Sequence, residues 1–219
     1  PPVEKTILQS PQVRPVEQAG LWEAKETDRF RIIGQFQNTY ILCESEDGLV
    51  LIDQHAAHER IVFEQLRNKY KEQSADSQKL LMPETFETGH RESEILEKLI
   101  PDLEKAGVEI ESFGKDTFVV KSVPAVLFGR EIKPVLLEMA EKIADTGFTP
   151  GIQETVDICL ILMACHGAIR ANQSLSDGEM KKLVDQLDAC EDPSHCPHGR
   201  PTWVIWTPAF LEKAFGRRD

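Results

Sequence analysis

Apolar residues recur along this chain at two spacings, and the change from one to the other marks where strands give way to helices. Phe30 to Phe36, Thr39 to Glu44 and Leu49 to Ile52 are short runs of strand type, and they predict three consecutive strands. Asn38 supplies a turn residue between the first two, as in a hairpin, and Glu46-Asp47-Gly48 turns the chain into the third. Beyond Asp53 the apolar positions become Ala56, Ile61, Val62 and Leu66 among helix formers, which predicts a helix directly after the third strand. Three strands feeding one helix predict an antiparallel sheet with a helix on one face.

The middle of the chain follows a second cycle. Tyr70 to Gln78 is a polar connector, and Gln78 to Phe86 is an extended run interrupted by Pro83. Ile95, Leu96, Leu99 and Leu103 lie at helical spacing within 92–106, and Gly107 ends that helix. Val108 to Phe113 alternates, turns at Gly114 and returns through Thr117 to Lys121 as a second hairpin. Ile132 to Thr146 is amphipathic and is stopped by Gly147. This block, 71–150, can close a small core of its own and is read as an inserted α+β subdomain.

Burial returns after Pro150. The segment 154–171 is apolar on nearly all sides, which places it in a core or an interface. Ser176 and Glu179 have the spacing of a capping box and open a helix to Ala189. Cys190 to Pro201 reads as a loop, Trp203 to Trp206 as a strand and Pro208 to Phe215 as a last helix. Pro1 to Thr27 is polar with four prolines and reads as a linker remnant. The expectation is an α+β protein whose main subdomain combines 28–70 with 151–219 around the insertion.

Charge and cysteine content narrow the function. In 219 residues there are 37 acidic and 25 basic side chains, a net charge of −12. That excludes strong stand-alone nucleic-acid binding, which needs clustered Lys and Arg, but not an enzyme delivered to DNA by a partner. The longest apolar run, Ile158 to Ala164, is far short of the ~20 residues that span a bilayer, and no signal peptide is visible, so no membrane association is expected. The five cysteines form no disulfide framework, which points to a reducing cytoplasm. A Pro-rich start without Met suggests a fragment of something longer.

Candidate chemistry lies in three stretches. Asp53 sits where the third strand meets its helix. His55 and Glu59 are four residues apart, so a helix puts them on one face, rotated by roughly 40°. His58 can reach that side, whereas Glu64 points away. Two carboxylates and an imidazole at a strand–helix junction suit a divalent metal. The plainer alternative is an N-capping Asp with a surface His–Glu pair. In the loop, Cys196 and His198 flank a proline and can turn to one point, Gly199 permits a tight turn, and Arg200 offers a fork for phosphate or carboxylate. The plainer alternative there is a surface turn with a free thiol. Cys165-His166 is the third stretch, while Cys43 and Cys159 read as small core residues. Together these could hold one or two ions, the thiols of Cys165 and Cys196 favouring zinc and the carboxylates manganese or magnesium. No zincin signature, paired C-x-x-C, P-loop or G-x-S-x-G is present.

These residues also carry a family resemblance. Asp53-Gln-His-Ala-Ala-His-Glu59-Arg-Ile-Val-Phe-Glu64 resembles D-Q-H-A-x2-E-x4-E, the endonuclease motif of MutL mismatch-repair proteins. Ala164-Cys165-His166 is similar to the A-C-[R/K] segment, with His166 in place of the usual cation, and Cys196-Pro-His198-Gly-Arg200-Pro201 matches C-P-H-G-R-P. Gly34 to Leu42 resembles the opening strands of the family, and the resemblance covers about residues 28 to 217. It implies a C-terminal domain of a bacterial, cytoplasmic MutL that nicks one DNA strand. Its metal site would comprise Asp53, His55, Glu59, Cys165, Cys196 and His198. Catalysis would fall to Asp53, Glu59 and Arg200, with manganese or magnesium as working ion and zinc as a structural or regulatory one. Gln78-Lys-Leu80-Leu81-Met82-Pro83 resembles the sliding-clamp-binding motif of such proteins, with Gln78, Leu81 and Pro83 as contacts. Phe215-Gly-Arg217 is similar to the family's C-terminal tail. The resemblance further implies a homodimer, through the segment 154–171 or the strands 30–53, an N-terminal ATPase domain of the same protein and a mismatch-recognition protein as partners. The rivals are a dimerisation and clamp-docking module with purely structural zinc, a local zinc knuckle of Cys190, His195, Cys196 and His198, and a metal-free adaptor.

Overall fold

A computed structural model describes residues 29–146, 153–169 and 172–217. The expected linker 1–27, the Gly147 stop, the Pro150 boundary and Arg170-Ala171 lie outside the described residues. Chain order begins with β1 (Arg31–Phe36), β2 (Tyr40–Ser45), β3 (Gly48–Asp53) and α1 (Gln54–Glu72). β4 (Ser77–Glu87), α2 (His90–Lys105), β5 (Glu109–Ser112), β6 (Thr117–Pro124), a 3-10 turn (Ala125–Leu127) and α3 (Ile132–Thr146) follow. The chain closes with α4 (Gln153–Gly167), α5 (Asp177–Asp188), β7 (Trp203–Trp206) and α6 (Pro208–Ala214). It is α+β, with two antiparallel sheets.

The first sheet has the order β1-β2-β3-β7. The three expected strands pair as a meander, and the late strand β7 returns to lie beside β3, with Leu51 opposite Val204. Gly48 stands at φ +136°, and a Cβ there would meet the Trp206 carbonyl oxygen at 2.4 Å, so this closure needs glycine. Ile41, Cys43, Val50 and Ile52 on the inner face pack with Ala57 and Ile61 of α1 and with Met180, Leu183, Val184 and Leu187 of α5. α5 starts with the expected capping box, Ser176 and Glu179 satisfying each other's backbone amides.

The second sheet, β4-β6-β5, carries α2 and α3 on one side. Its core takes in residues on both sides of the 71–150 block: Val62, Phe63 and Leu66 of α1, and Val156, Cys159, Leu160, Leu162 and Met163 of α4. The all-round apolar character of α4 is therefore explained inside one chain, where it is covered by α1 and α3. α1 runs three residues into the expected polar connector because Lys69 and Lys71 suit a helix C-terminus, and Gln73 at φ 53° stops it.

Candidate metal centre

β3 hands the chain to α1 at Asp53, whose carboxylate accepts from the backbone amides of His55 (2.9 Å) and Ala56 (3.0 Å). Asp53 is thus the N-cap of α1, the plainer of the two readings of its position. Gln54 is wholly buried. Its amide donates to the carbonyls of Asn38 (2.7 Å) and Gln173 (3.1 Å) and accepts from Gln35 (2.7 Å). The start of the helix is thereby locked to the β1–β2 turn and to the segment after α4.

His55 and Glu59 share a face, as their spacing requires. His55 Nδ1 lies 2.8 Å from the Ile169 carbonyl, which can only accept, so Nδ1 carries the proton. Nε2 then faces Glu59 Oε1 at 3.1 Å. Glu59 is only 1% exposed, and Oε1 has no hydrogen-bond partner. Oε2 accepts from Arg200 at 2.8 Å and lies 3.5 Å from His198 Nδ1. Burial pushes the Glu59 carboxyl up, but the hydrogen bond from Arg200 and the charges of His55, Arg200 and His198 outweigh it and leave the pKa below the usual carboxylate value. Arg200 is pushed the other way, chiefly by its bond to Cys196 and then by Glu59.

Glu59, Cys196 and His198 offer one donor atom each within 4.8 Å of one another. A carboxylate, a thiol and an imidazole form a donor set suited to a divalent ion, and the orphaned Oε1 beside the lone pair of Nε2 is a second place where a cation fits. Cys165 borders this group. Burial, then the charge of Glu59 and a hydrogen bond to it, pushes its thiol up to about 11. Among the described residues, Asp53, His55 and Cys165 are not in the three-donor group.

His58 turns elsewhere. Its Nδ1 accepts from the Ile169 amide at 3.0 Å, so His55 and His58 together satisfy both backbone groups of one residue beyond α4. Burial, then the charges of His55 and Arg130, lowers its pKa to about 4, and the ring is neutral. His166 lies 2.8 Å from Glu138 of α3 and stays outside the donor group.

The loop that brings Cys196 and His198 is held from several sides. Glu64 accepts from the amides of Glu191 (2.8 Å) and Asp192 (3.2 Å), and Arg60 Nε donates to the His195 carbonyl. The Asp53 amide donates to the Thr202 carbonyl at 2.9 Å. Within the loop, Cys196 donates to the Arg200 carbonyl and Gly199 to the Cys196 carbonyl, both at 2.8 Å, with Gly199 at φ +81°. Glu64, which points away from His55, therefore secures the loop.

Sequence reasoning misses four groups: Gln54, Arg60, Glu138 and the Ile169 backbone. The Arg60–Glu64 spacing, with 3.6 Å between their side chains, was a readable signal for one of them. The others depend on partners more than a hundred residues away or on another helix.

In β4, pairing with β6 holds at Ser77–Lys79 and Glu84–Glu87 and breaks between. Leu80 to Pro83 arc out of an edge strand, with Leu81 101% exposed and Met82 and Pro83 exposed as well. Gln78 is exposed at the start of the arc.

No helix among the described residues is long and apolar enough to cross a membrane. A family model described as the MutL C terminal dimerisation domain matches residues 33–175. The chain is 41% identical over 187 residues to the DNA mismatch repair protein MutL of Syntrophotalea carbinolica, covering 85% of this chain and 30% of that protein. It is 35% identical over 222 residues to the MutL of Geotalea daltonii, covering 99% and 37%. Against the MutL of Geobacter sulfurreducens it is 38% identical over 186 residues, covering 85% and 31%. The chain spans about a third of the length of these relatives.

Proposed function

Since this chain belongs to the MutL family through its C-terminal dimerisation domain, we propose that it is a latent, metal-dependent DNA-nicking endonuclease domain acting in mismatch repair. The observation that carries the reading is the convergence on Glu59. A buried carboxylate has one oxygen without a hydrogen bond, His55 Nε2 against it, and Cys196 and His198 beside the other. Glu59, Cys196 and His198 would hold one ion, with His55 and Cys165 at its border, and Asp53 could contribute its second carboxylate oxygen. A thiol-containing set suits zinc, and the carboxylate edge suits manganese or magnesium. Bound there, a divalent ion supplies Lewis-acid stabilisation of a phosphodiester and lowers the pKa of a water.

The chain's own groups have separable tasks. Glu59 fixes the charge of the site, and His55, oriented through Ile169, turns Nε2 to Glu59 Oε1. Arg200, 54% exposed at its side chain, would meet a phosphate with the part of its fork that Glu59 does not hold. The acidic surface keeps affinity for DNA low until a partner delivers the domain.

Two docking functions complete the proposal. The outer face of the first sheet carries Phe36, Tyr40, Leu42, Leu49, Leu51, Val204 and Trp206 in neighbouring register, and no described element covers it. Such an apolar face suits a homodimer interface. The Leu80–Pro83 arc suits a hydrophobic groove on a sliding clamp, with Gln78, Leu81 and Pro83 as contacts. An N-terminal ATPase domain and a mismatch-recognition protein would be the remaining partners.

Supercoiled plasmid incubated with the chain, manganese and clamp tests the reading: open-circle product is expected from the wild type and none from Glu59→Gln. Equal nicking by that variant removes the catalytic assignment. One observation favours a second reading, a dimerisation and clamp-docking module with structural zinc. Asp53 Oδ1 accepts two backbone bonds as a helix cap. Zinc and clamp binding with no Glu59-dependent nicking is its signature.

A further inference from the structure

We propose that Arg200 is a displaceable counter-cation: a divalent ion taking Glu59, Cys196 and His198 must expel its guanidinium, and ion loading thereby frees Arg200 for a phosphate. The inference rests on the metal-centre reading given above and adds a device that couples ion occupancy to substrate binding.

The guanidinium already bonds one of the three donor groups and lies close to a second. Nη2 donates to Glu59 Oε2 at 2.8 Å, and the Cys196 thiol is near enough to stabilise its charge. Glu59, Cys196 and His198 each offer a donor atom within 4.8 Å of the others. An ion coordinated by all three would need donor distances of about 2.0–2.3 Å, and a guanidinium bonded to the Glu59 oxygen competes for that space. Charge makes the competition sharper. Glu59 is almost wholly inaccessible, and a buried carboxylate without a counter-charge is costly, so one cation or another must attend it. Arg200 supplies a single positive charge, and a divalent ion supplies two. Coordination takes Cys196 as the thiolate, its proton leaving to solvent, so the carboxylate and thiolate together balance the divalent ion, and a retained guanidinium is surplus positive charge that drives the mobile group out.

The loop is built so that this exchange costs little. The backbone at Arg200 is pinned by the Cys196 amide, and Gly199 turns the chain beside it, but the side chain is more than half exposed and has solvent to swing into. Cys196 does not share that freedom: it is buried and stays behind as a ligand. The same arginine then stands at the rim of the ion site as a planar, bidentate donor, the chemistry that recognises a phosphodiester. A guanidinium with Nη2 held on Glu59 has fewer N–H groups to offer a phosphate and is fixed in orientation.

The test uses the full 219-residue chain. Zinc, and separately manganese, is titrated by calorimetry into the wild type, Arg200→Gln and Arg200→Lys. Arg200→Gln is expected to bind zinc at least about tenfold more tightly, because no charge-assisted bond has to break first. Arg200→Lys keeps the charge and is expected to stay within about threefold of the wild type. In the wild type alone, zinc should accelerate phenylglyoxal modification of Arg200, read by peptide mass spectrometry. This second readout needs no variant and stands even if one fails to fold. Unchanged or weaker zinc binding by a folded Arg200→Gln, or no acceleration of the modification, makes Arg200 a support that orients Glu59 and overturns the proposal. Absence of zinc binding in the wild type sinks it together with the metal-centre reading. Zinc behaviour as expected with no nicking removes the nuclease reading alone.

Discussion

His55 Nε2 and Glu59 Oε1 stand 3.1 Å apart, and Oε1 makes no hydrogen bond. The ring proton is on the other nitrogen, donated to the Ile169 carbonyl. Two lone pairs facing each other in a buried site are unfavourable unless a cation, proton or metal, lies between them. The helix i, i+4 geometry, the Ile169 backbone and the burial of α1 jointly impose this contact.

Removing the carboxylate charge tests it directly. Glu59→Gln is expected to abolish tight zinc binding, reducing the metal content by elemental mass spectrometry from about one ion per chain to well below half, and to lower nicking at least 100-fold. Retention of zinc at wild-type stoichiometry would place the ion elsewhere.

Capping and catalysis can be separated at Asp53. Asn is as good an N-cap as Asp, so Asp53→Asn should leave the melting temperature within a degree or two, whereas Asp53→Ala should cost about 1 kcal/mol by denaturant unfolding. Plasmid nicking by Asp53→Asn at the wild-type rate would confine Asp53 to the cap.

The loop should loosen without Glu64. Glu64→Ala leaves two half-buried amides, of Glu191 and Asp192, without their acceptor, and about 1 kcal/mol of stability should be lost. Amide exchange should rise over 190–201 while α2 and α3 remain protected. Uniform exchange along the whole chain contradicts this local role.

Apolar surface makes opposite predictions at two places. Leu81→Asp should leave folding unchanged, because the side chain is wholly exposed, yet weaken sliding-clamp binding at least tenfold by surface plasmon resonance. Val204→Glu lies on the outer sheet face opposite Leu51 and should convert a dimer to a folded monomer by light scattering. A variant that stays dimeric moves the interface off this sheet.

Core thiols should be silent. Burial pushes Cys43 up to about 11, and burial followed by the charge of Asp102 pushes Cys159 up to about 12. Raised values keep both protonated at pH 8, so iodoacetamide should modify neither in the folded chain and both once urea unfolds it. Reactivity of Cys159 before unfolding would mean that α4 opens.

The strand and helix order was readable because each element carries its own local period. The β1–β2 hairpin, the capping box of α5 and the all-round apolar α4 follow from neighbours a few residues apart. The motif residues Glu59, Cys196 and His198 were readable as ligand types in the same way. His58 was not. Its spacing from His55 suits a ligand, but the Ile169 amide, more than a hundred residues away, claims its ring.

What the sequence determined by itself is therefore the set of elements, the faces they bury and the chemistry available at each motif, since these depend on short-range sterics and periodicity. Only the tertiary structure decided which of those groups meet. It set Arg200 on Glu59, Glu64 on the loop amides and His166 on Glu138, because such contacts are fixed by how separate elements pack, and packing carries no local signature in the chain.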